Sequence, residues 1–195
     1  MGLLSKSAYI VSTTPSERDV DFFPTCPTFT IALLENINFK GRITEPCCGD
    51  GAMASVIAQQ GYEVIASDKV DYGYGELADA FELGGKHDNI VTNPPYNLAQ
   101  DMVEHFLSVT TGKVAVLLNA SWIATAGRTA LLKHYPPEKI IVIPWRMKYL
   151  KSDGNMGTSG FSHYRIVWDN SRTTKNTEMV WATRNPNVPT HDLRT

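Results

Sequence analysis

Apolar positions along the chain fall into two alternating rhythms. Short runs at 41–45, 63–67, 90–92, 114–118 and 140–143 have the character of β-strands, and longer runs at 27–37, 52–60, 97–109 and 124–134 carry helical spacing. Strands that alternate with helices in this way predict an α/β protein, with a mostly parallel, doubly wound sheet and covering helices. Beyond Pro144 the rhythm changes. The runs at 163–168 and 179–183 alternate like antiparallel strands, and the Gly-, Ser- and Asn-rich stretch 150–162 predicts a mobile loop.

At 195 residues, 43% hydrophobic and 19% charged, the chain holds enough apolar material for one substantial core and a modest appendage. It reads as a single domain, 1–195, with an N-terminal segment 1–40, an α/β core 41–144 and a C-terminal part 145–195. No apolar run approaches the roughly 20 residues that cross a bilayer, and the opening residues turn polar too quickly for a secretory signal. Lys6 also stands where an N-myristoylation signal wants Ser or Thr. Cys26, Cys47 and Cys48 form neither a disulfide framework nor a zinc pattern. The expectation is a cytoplasmic protein without membrane or metal partners. Its net charge of −2 is unevenly placed: residues 1–140 carry 10 Lys and Arg against 16 Asp and Glu, whereas 141–195 carry 8 against 4. A polyanion would be met by the C-terminal part.

The first candidate site follows the first strand. Residues 45–51, Glu-Pro-Cys-Cys-Gly-Asp-Gly, stand between a strand and a helical run, where a doubly wound fold turns its backbone toward a ligand. Gly49 and Gly51 permit the tight turn and a close approach. About 20 residues on, Asp68 closes the next strand, from which a carboxylate reaches ribose hydroxyls. Gly49, Gly51 and Ala54 also satisfy the dinucleotide fingerprint GxGxxA, so these positions alone leave NAD open. Glu45 leans the other way, because a carboxylate here repels a pyrophosphate and suits a ligand bearing an ammonium and a sulfonium. Cys47 and Cys48 read as small loop and core residues rather than reactive thiols.

The second candidate site is the run Asn93, Pro94, Pro95, Tyr96 after the strand at 90–92, with Asn97 placed to cap the next helix. Consecutive prolines fix φ and remove two backbone donors, which leaves a stiff turn rich in acceptors at the carboxyl end of a strand. An amino-group methyl transfer requires this, since the lone pair of an adenine or amide nitrogen is delocalised. The Asn93 side-chain oxygen and the Pro94 carbonyl can accept both N–H protons and turn the lone pair toward a methyl donor. Tyr96 offers a flat face for an extruded base, worth about 1–3 kcal/mol by analogy with base–aromatic contacts.

With both sites in view, the chain resembles the class I S-adenosylmethionine-dependent amino-methyltransferases, and among them the small phage- and prophage-type DNA adenine-N6 methyltransferases. The resemblance implies a Rossmann-like class I methyltransferase fold with an antiparallel C-terminal strand pair. It implies S-adenosylmethionine as cofactor and the adenine amino group of DNA as acceptor, in the host cytoplasm if the protein is phage-encoded. It further implies that Pro24 and Thr25, within 21–27, approach the methionine carboxylate, and that Glu45, Cys47, Gly49 and Gly51 form the first cofactor motif. Asp68 would take the ribose, and Asp79, after Gly73, Tyr74 and Gly75, would face the adenine amino group of the cofactor. Residues 93–96 would be catalytic, with Asn93 rather than Ser favouring adenine over cytosine-N4. Cys47 replaces a glycine and Cys26 a proline or similar residue of the family pattern, and no long target-recognition domain is expected, which would put any DNA-reading surface in 120–165. Trp122, Arg128, Trp145, Arg146, Lys148, Tyr149 and Lys151 mix aromatics and cations there as DNA contacts require.

Rival readings leave more unexplained. An RNA adenine or a protein glutamine would suit the same two acceptors, but about 40 residues before the first strand leave little room for the helical domain expected of glutamine enzymes. RNA stays open. An NAD-dependent oxidoreductase gives residues 93–96 no role, and the spacing Tyr135 to Lys139 encloses Pro136 and Pro137, which break the helix its proton relay needs. Intact Asn93 and Asp68 argue against an inactive nucleic-acid-binding module.

Overall fold

The computed structural model describes residues 24–146, 148–150, 156–158, 160–173 and 176–188. In chain order these form α1 (Pro27–Leu34), β1 (Ile43–Glu45), α2 (Ala52–Gln59), β2 (Val64–Asp68), β3 (Glu76–Leu77), β4 (Asn89–Thr92), α3 (Ala99–Val109), β5 (Lys113–Asn119), α4 (Thr129–His134), β6 (Lys139–Ile143), β7 (Lys148–Leu150), β8 (Met156–Thr158), β9 (His163–Asp169) and β10 (Glu178–Trp181). Eight strands share one sheet in the order β10-β6-β9-β5-β4-β1-β2-β3, and β7 pairs with β8 apart from it. No helix among the described residues is long and apolar enough to cross a membrane.

The sheet is covered on both faces. Strand β5 is buried at all its interior positions, as a central strand covered on both faces must be. Val114, Val116 and Leu118 pack with Val103 and Phe106 of α3, while Ala115 packs with Ile43, Val91 and Ile57 on the α1 and α2 side. Met102, Val103, Phe106 and Leu107 give α3 its buried stripe at helical spacing. Each such side chain contributes about 1.5–3 kcal/mol by leaving water.

Topology decides where a ligand can lie. From β1 the chain winds through β2 to β3 on one side, and from β4 to β5 on the other, all in parallel. The direction of winding reverses between β1 and β4, and the crevice outside their carboxyl ends is the natural binding position of such a sheet. Strand β9 enters antiparallel between β5 and β6, with His163 opposite Asn119 and Ile143. Its first residues are thereby delivered to the edge where the parallel strands end. Strand β10 pairs in parallel with β6, so the two C-terminal strands run in opposite directions, as their rhythm predicts, with β6 standing between them.

At the opposite edge Lys113 binds Glu138 at 2.6 Å and Asp169 at 2.5 Å, tying together the ends of β5, β6 and β9. Burial alone would lower the Lys113 pKa, but its hydrogen bonds to Asp169 and Glu138 outweigh this and raise it. Three local expectations are revised. The loop expected over 150–162 contains strand β8, paired with β7. The helix expected from 124 begins at Thr129, after two short 3-10 turns, and that expected from 97 begins at Ala99 with Leu98, not Asn97, at its cap.

Candidate functional site

A cavity of about 550 Å³ opens at the reversal point. The loop after β1, the end of β2 and the turn after β4 form its wall, and Pro24 and Thr25 lie against it from the N-terminal side. Both candidate sites of the sequence therefore border one space. The Cys48 N–H donates to the Ser67 carbonyl and the Gly49 N–H to Asp68 Oδ2 at 2.8 Å, which fastens the first loop to the end of β2. Asp68 Oδ1 accepts the Val70 N–H, and each carboxylate oxygen can accept a further donor from a ligand. Gly49 and Gly51 both have positive φ, as the turn demands. Gly51 is not among the residues bordering the cavity: the place its Cβ would take is filled by the Tyr74 ring, 2.4 Å away. Gly51 thus lets the Tyr74 ring close against the loop.

Glu45 is buried, borders the cavity, and its Oε2 has no hydrogen-bond partner among the described residues. Burial holds its carboxyl well above the usual carboxylate range, against the opposing pull of Arg165. A cation placed beside it would remove that penalty. Burial also pushes the Cys47 and Cys48 thiols up to about 12, so neither is a thiolate at neutral pH.

The turn after β4 is held from two directions. Asn93 Nδ2 donates to Thr25 Oγ1 at 3.2 Å, which fixes the amide plane against the N-terminal segment. The Leu98 N–H donates to the Pro95 carbonyl and leads the chain into α3. Tyr96 borders the cavity, and its hydroxyl shares a hydrogen bond of 3.1 Å with His163 Nε2. Burial holds the His163 imidazole down to about 4, so it is uncharged at neutral pH. The Asp79 carboxylate, expected at the cofactor's adenine, accepts from Lys69 at 2.8 Å and from the Phe81 N–H, which hold its pKa down. Its neighbours Lys69 and Ala80 border the cavity.

No family model and no curated protein matches the chain. Solved structures do. An S-adenosylmethionine-dependent O-methyltransferase from Thermotoga maritima aligns over 82% of this chain and 71% of its own, at 14% identity and TM-score 0.53. The fold is that of the Rossmann-like class I methyltransferases. A protein assigned as an RNA methyltransferase from Pyrococcus horikoshii aligns over 75% of this chain and 82% of its own, at 14% identity and TM-score 0.52. A modification subunit assigned to a type I restriction enzyme of Vibrio vulnificus covers 88% of this chain and 50% of its own, at 12% identity and TM-score 0.54.

The surface expected to read DNA is only partly a surface. Trp122 is 2% exposed and belongs to the core, so its expected stacking role is corrected. Arg128 lies over its ring at 4.8 Å and donates to the Trp122 carbonyl and to Thr125 Oγ1. Trp145 likewise packs on Phe29 and donates to Thr28 Oγ1. Arg146 is exposed and donates to the Gly160 carbonyl, joining the segments on either side of the β7–β8 hairpin. The side chains of Lys148 and Tyr149, together with Lys151 and residues 21–23, lie outside the described residues. His163 and Arg165 on β9 are site neighbours that sequence reasoning misses. Nothing local marks either one, because only the antiparallel insertion of β9 brings His163 to Tyr96 and Arg165 to Thr92 and Met53.

Proposed function

We propose that the protein transfers a methyl group from S-adenosylmethionine to the exocyclic amino group of adenine in DNA. The observation that carries this reading is that one cavity is bordered both by Glu45 and the glycine loop and by the Asn93–Pro95 turn with Tyr96. A buried carboxylate oxygen with no partner among the described residues fits the cofactor's ammonium, and Asp68 at the end of β2 fits its ribose. The antiparallel β9 between β5 and β6 also departs from the all-parallel dinucleotide order, which weighs against NAD.

When bound, S-adenosylmethionine supplies an electrophilic methyl on a sulfonium. The chain's own residues would do the rest. Thr25 orients the Asn93 amide, and Asn93 Oδ1 with the Pro94 carbonyl accepts the two amino protons, so the nitrogen lone pair is aimed along the line of displacement. Tyr96, held by His163, stacks on the base. No thiolate participates, and the proton leaves the alkylated nitrogen through the same acceptors to solvent. DNA would be met by the cationic C-terminal part, including Arg146.

Incubation with methyl-labelled S-adenosylmethionine and DNA, RNA or protein in parallel, followed by mass spectrometry of the digests, tests this directly. N6-methyladenine in DNA is the expected product, and label in RNA alone would replace the acceptor. Asn93→Ala should abolish transfer while S-adenosylhomocysteine still binds by calorimetry. An active Asn93→Ala enzyme would sink the mechanism.

A further inference from the structure

Strand β9 carries a buried cation with no part in the reaction just described. Arg165 is wholly inaccessible to solvent. Its Nε donates to the Phe29 carbonyl on α1 at 3.4 Å, Nη1 to the Thr92 carbonyl at 3.3 Å, and Nη2 to Met53 Sδ on α2 at 3.1 Å. Thr92 is the residue immediately before the Asn93 turn, and Met53 borders the cavity. One guanidinium thus holds three elements that build the site.

None of these acceptors carries a charge, and the position is otherwise apolar: Leu117 and Ile141 flank it in the sheet, and Val167 follows on the same face. A buried cation in such surroundings is unfavourable unless an anion compensates it. Glu45 is the buried carboxylate whose ionisation that charge favours. Asp50 and Asp68 oppose its ionisation, the Ala54 N–H on α2 donates to it, and Arg165 is the cation that favours it. The Cys47 and Cys48 thiols face it uncharged, and Lys69 borders the same cavity.

We propose that Arg165 is the positioning residue of this site: it braces the turn before Asn93 against α1 and α2, and its charge offsets part of the burial penalty on the Glu45 carboxylate, which a ligand cation then completes. Its second half rests on the reading of Glu45 as the ammonium acceptor. A purely structural arginine would hold the elements together without controlling the charge of Glu45.

The test is a 13C NMR titration of the ligand-free protein labelled at glutamate Cδ, with the Glu45 signal assigned by its loss in Glu45→Gln. Glu45 should titrate at higher pH in Arg165→Met than in the natural protein, and Arg165→Lys, which keeps the charge, should bring it back. Arg165→Gln is read in the same way if the Met variant does not fold. S-adenosylhomocysteine binding at pH 7 should weaken about tenfold in Arg165→Met, within the 5–150-fold range of linked sites, and recover as pH rises. Coincident Glu45 curves in the natural, Met and Gln proteins would overturn the proposal, as would a Lys variant that titrates like the Met variant. If the titration shifts but the natural protein takes no S-adenosylhomocysteine, the coupling stands and the cofactor reading falls.

Discussion

Replacing Gly51 by Ala tests whether the first loop is shaped by backbone conformation, by side-chain packing, or by both. Gly51 has φ +81°, where an L-residue with a Cβ is strained by about 1–2 kcal/mol. The added methyl would lie 2.4 Å from Tyr74 ring atoms, against a normal carbon–carbon contact of about 3.5–4.0 Å, so the ring must move by more than its own slack. Tyr74 is 36% exposed and can swing toward solvent, losing packing worth about 1–2 kcal/mol. The sum is about 2–4 kcal/mol, and at about 2–4 °C per kcal/mol for a chain of this size the midpoint should fall by about 5–15 °C. Thermal unfolding followed by circular dichroism in Gly51→Ala, Tyr74→Ala and the double variant separates the two parts. With Tyr74 truncated, Gly51→Ala should retain only the backbone strain. A loss that is the same with and without the ring would refute the packing argument, and one below about 0.5 kcal/mol would refute both.

Three further outcomes are expected. The folded-state pKa of Glu45 lies above its ordinary value near 4.5, so the folded protein holds this proton more tightly and stability falls as pH rises through the window between the two; urea unfolding of the ligand-free protein should show Glu45→Gln gaining on the natural chain above that window's start and matching it below. Tyr96→Phe loses the hydroxyl bond to His163 but keeps the ring. Its kcat/KM on an adenine-containing oligonucleotide should fall little, whereas Tyr96→Ala should lose about 5- to 150-fold, the equivalent of about 1–3 kcal/mol of stacking; equal losses would remove the stacking role. Lys113→Met leaves Glu138 and Asp169, both only slightly exposed, facing each other without a cation, at a cost of about 2–4 kcal/mol near pH 7. Burial raises the Asp169 pKa, but hydrogen bonds from Lys113 and Ser171 outweigh it and hold the group below its ordinary 3.8. That contribution is present above 3.8 and lost as pH falls through the folded value, so the cost should shrink in acid, and a pH-independent loss would refute it.

What the chain reveals locally is what short-range physics controls. A glycine loop after a strand and a proline-stiffened turn after another are legible because tight turns restrict residue type at each position, and Glu45, Asp68 and Asn93 stand where those turns place them. The C-terminal strands could be seen to oppose each other in direction, but β6 between them could not, since pairing between distant segments leaves no periodic trace. The ion pair between Asp79 and Lys69 spans ten residues of loop and short strand, and no local pattern announces it. Trp122 looked like a surface aromatic because a short 3-10 turn, unlike a helix, has no apolar stripe to say which side faces inward. Arg165 sits in a run that alternates like any strand, and its reach to Phe29, Thr92 and Met53 spans separations that no local pattern encodes.

The late threading of β9 into the middle of the sheet bears on how the molecule comes into being. Until residues 163–169 have emerged from the ribosome, β5 and β6 flank an empty slot and present two unpaired backbone rows to solvent. A nascent or prematurely terminated chain would therefore be both inert and sticky, a natural client for chaperones and proteases. The Tyr96–His163 bond and the Arg165 brace form only once β9 is in place.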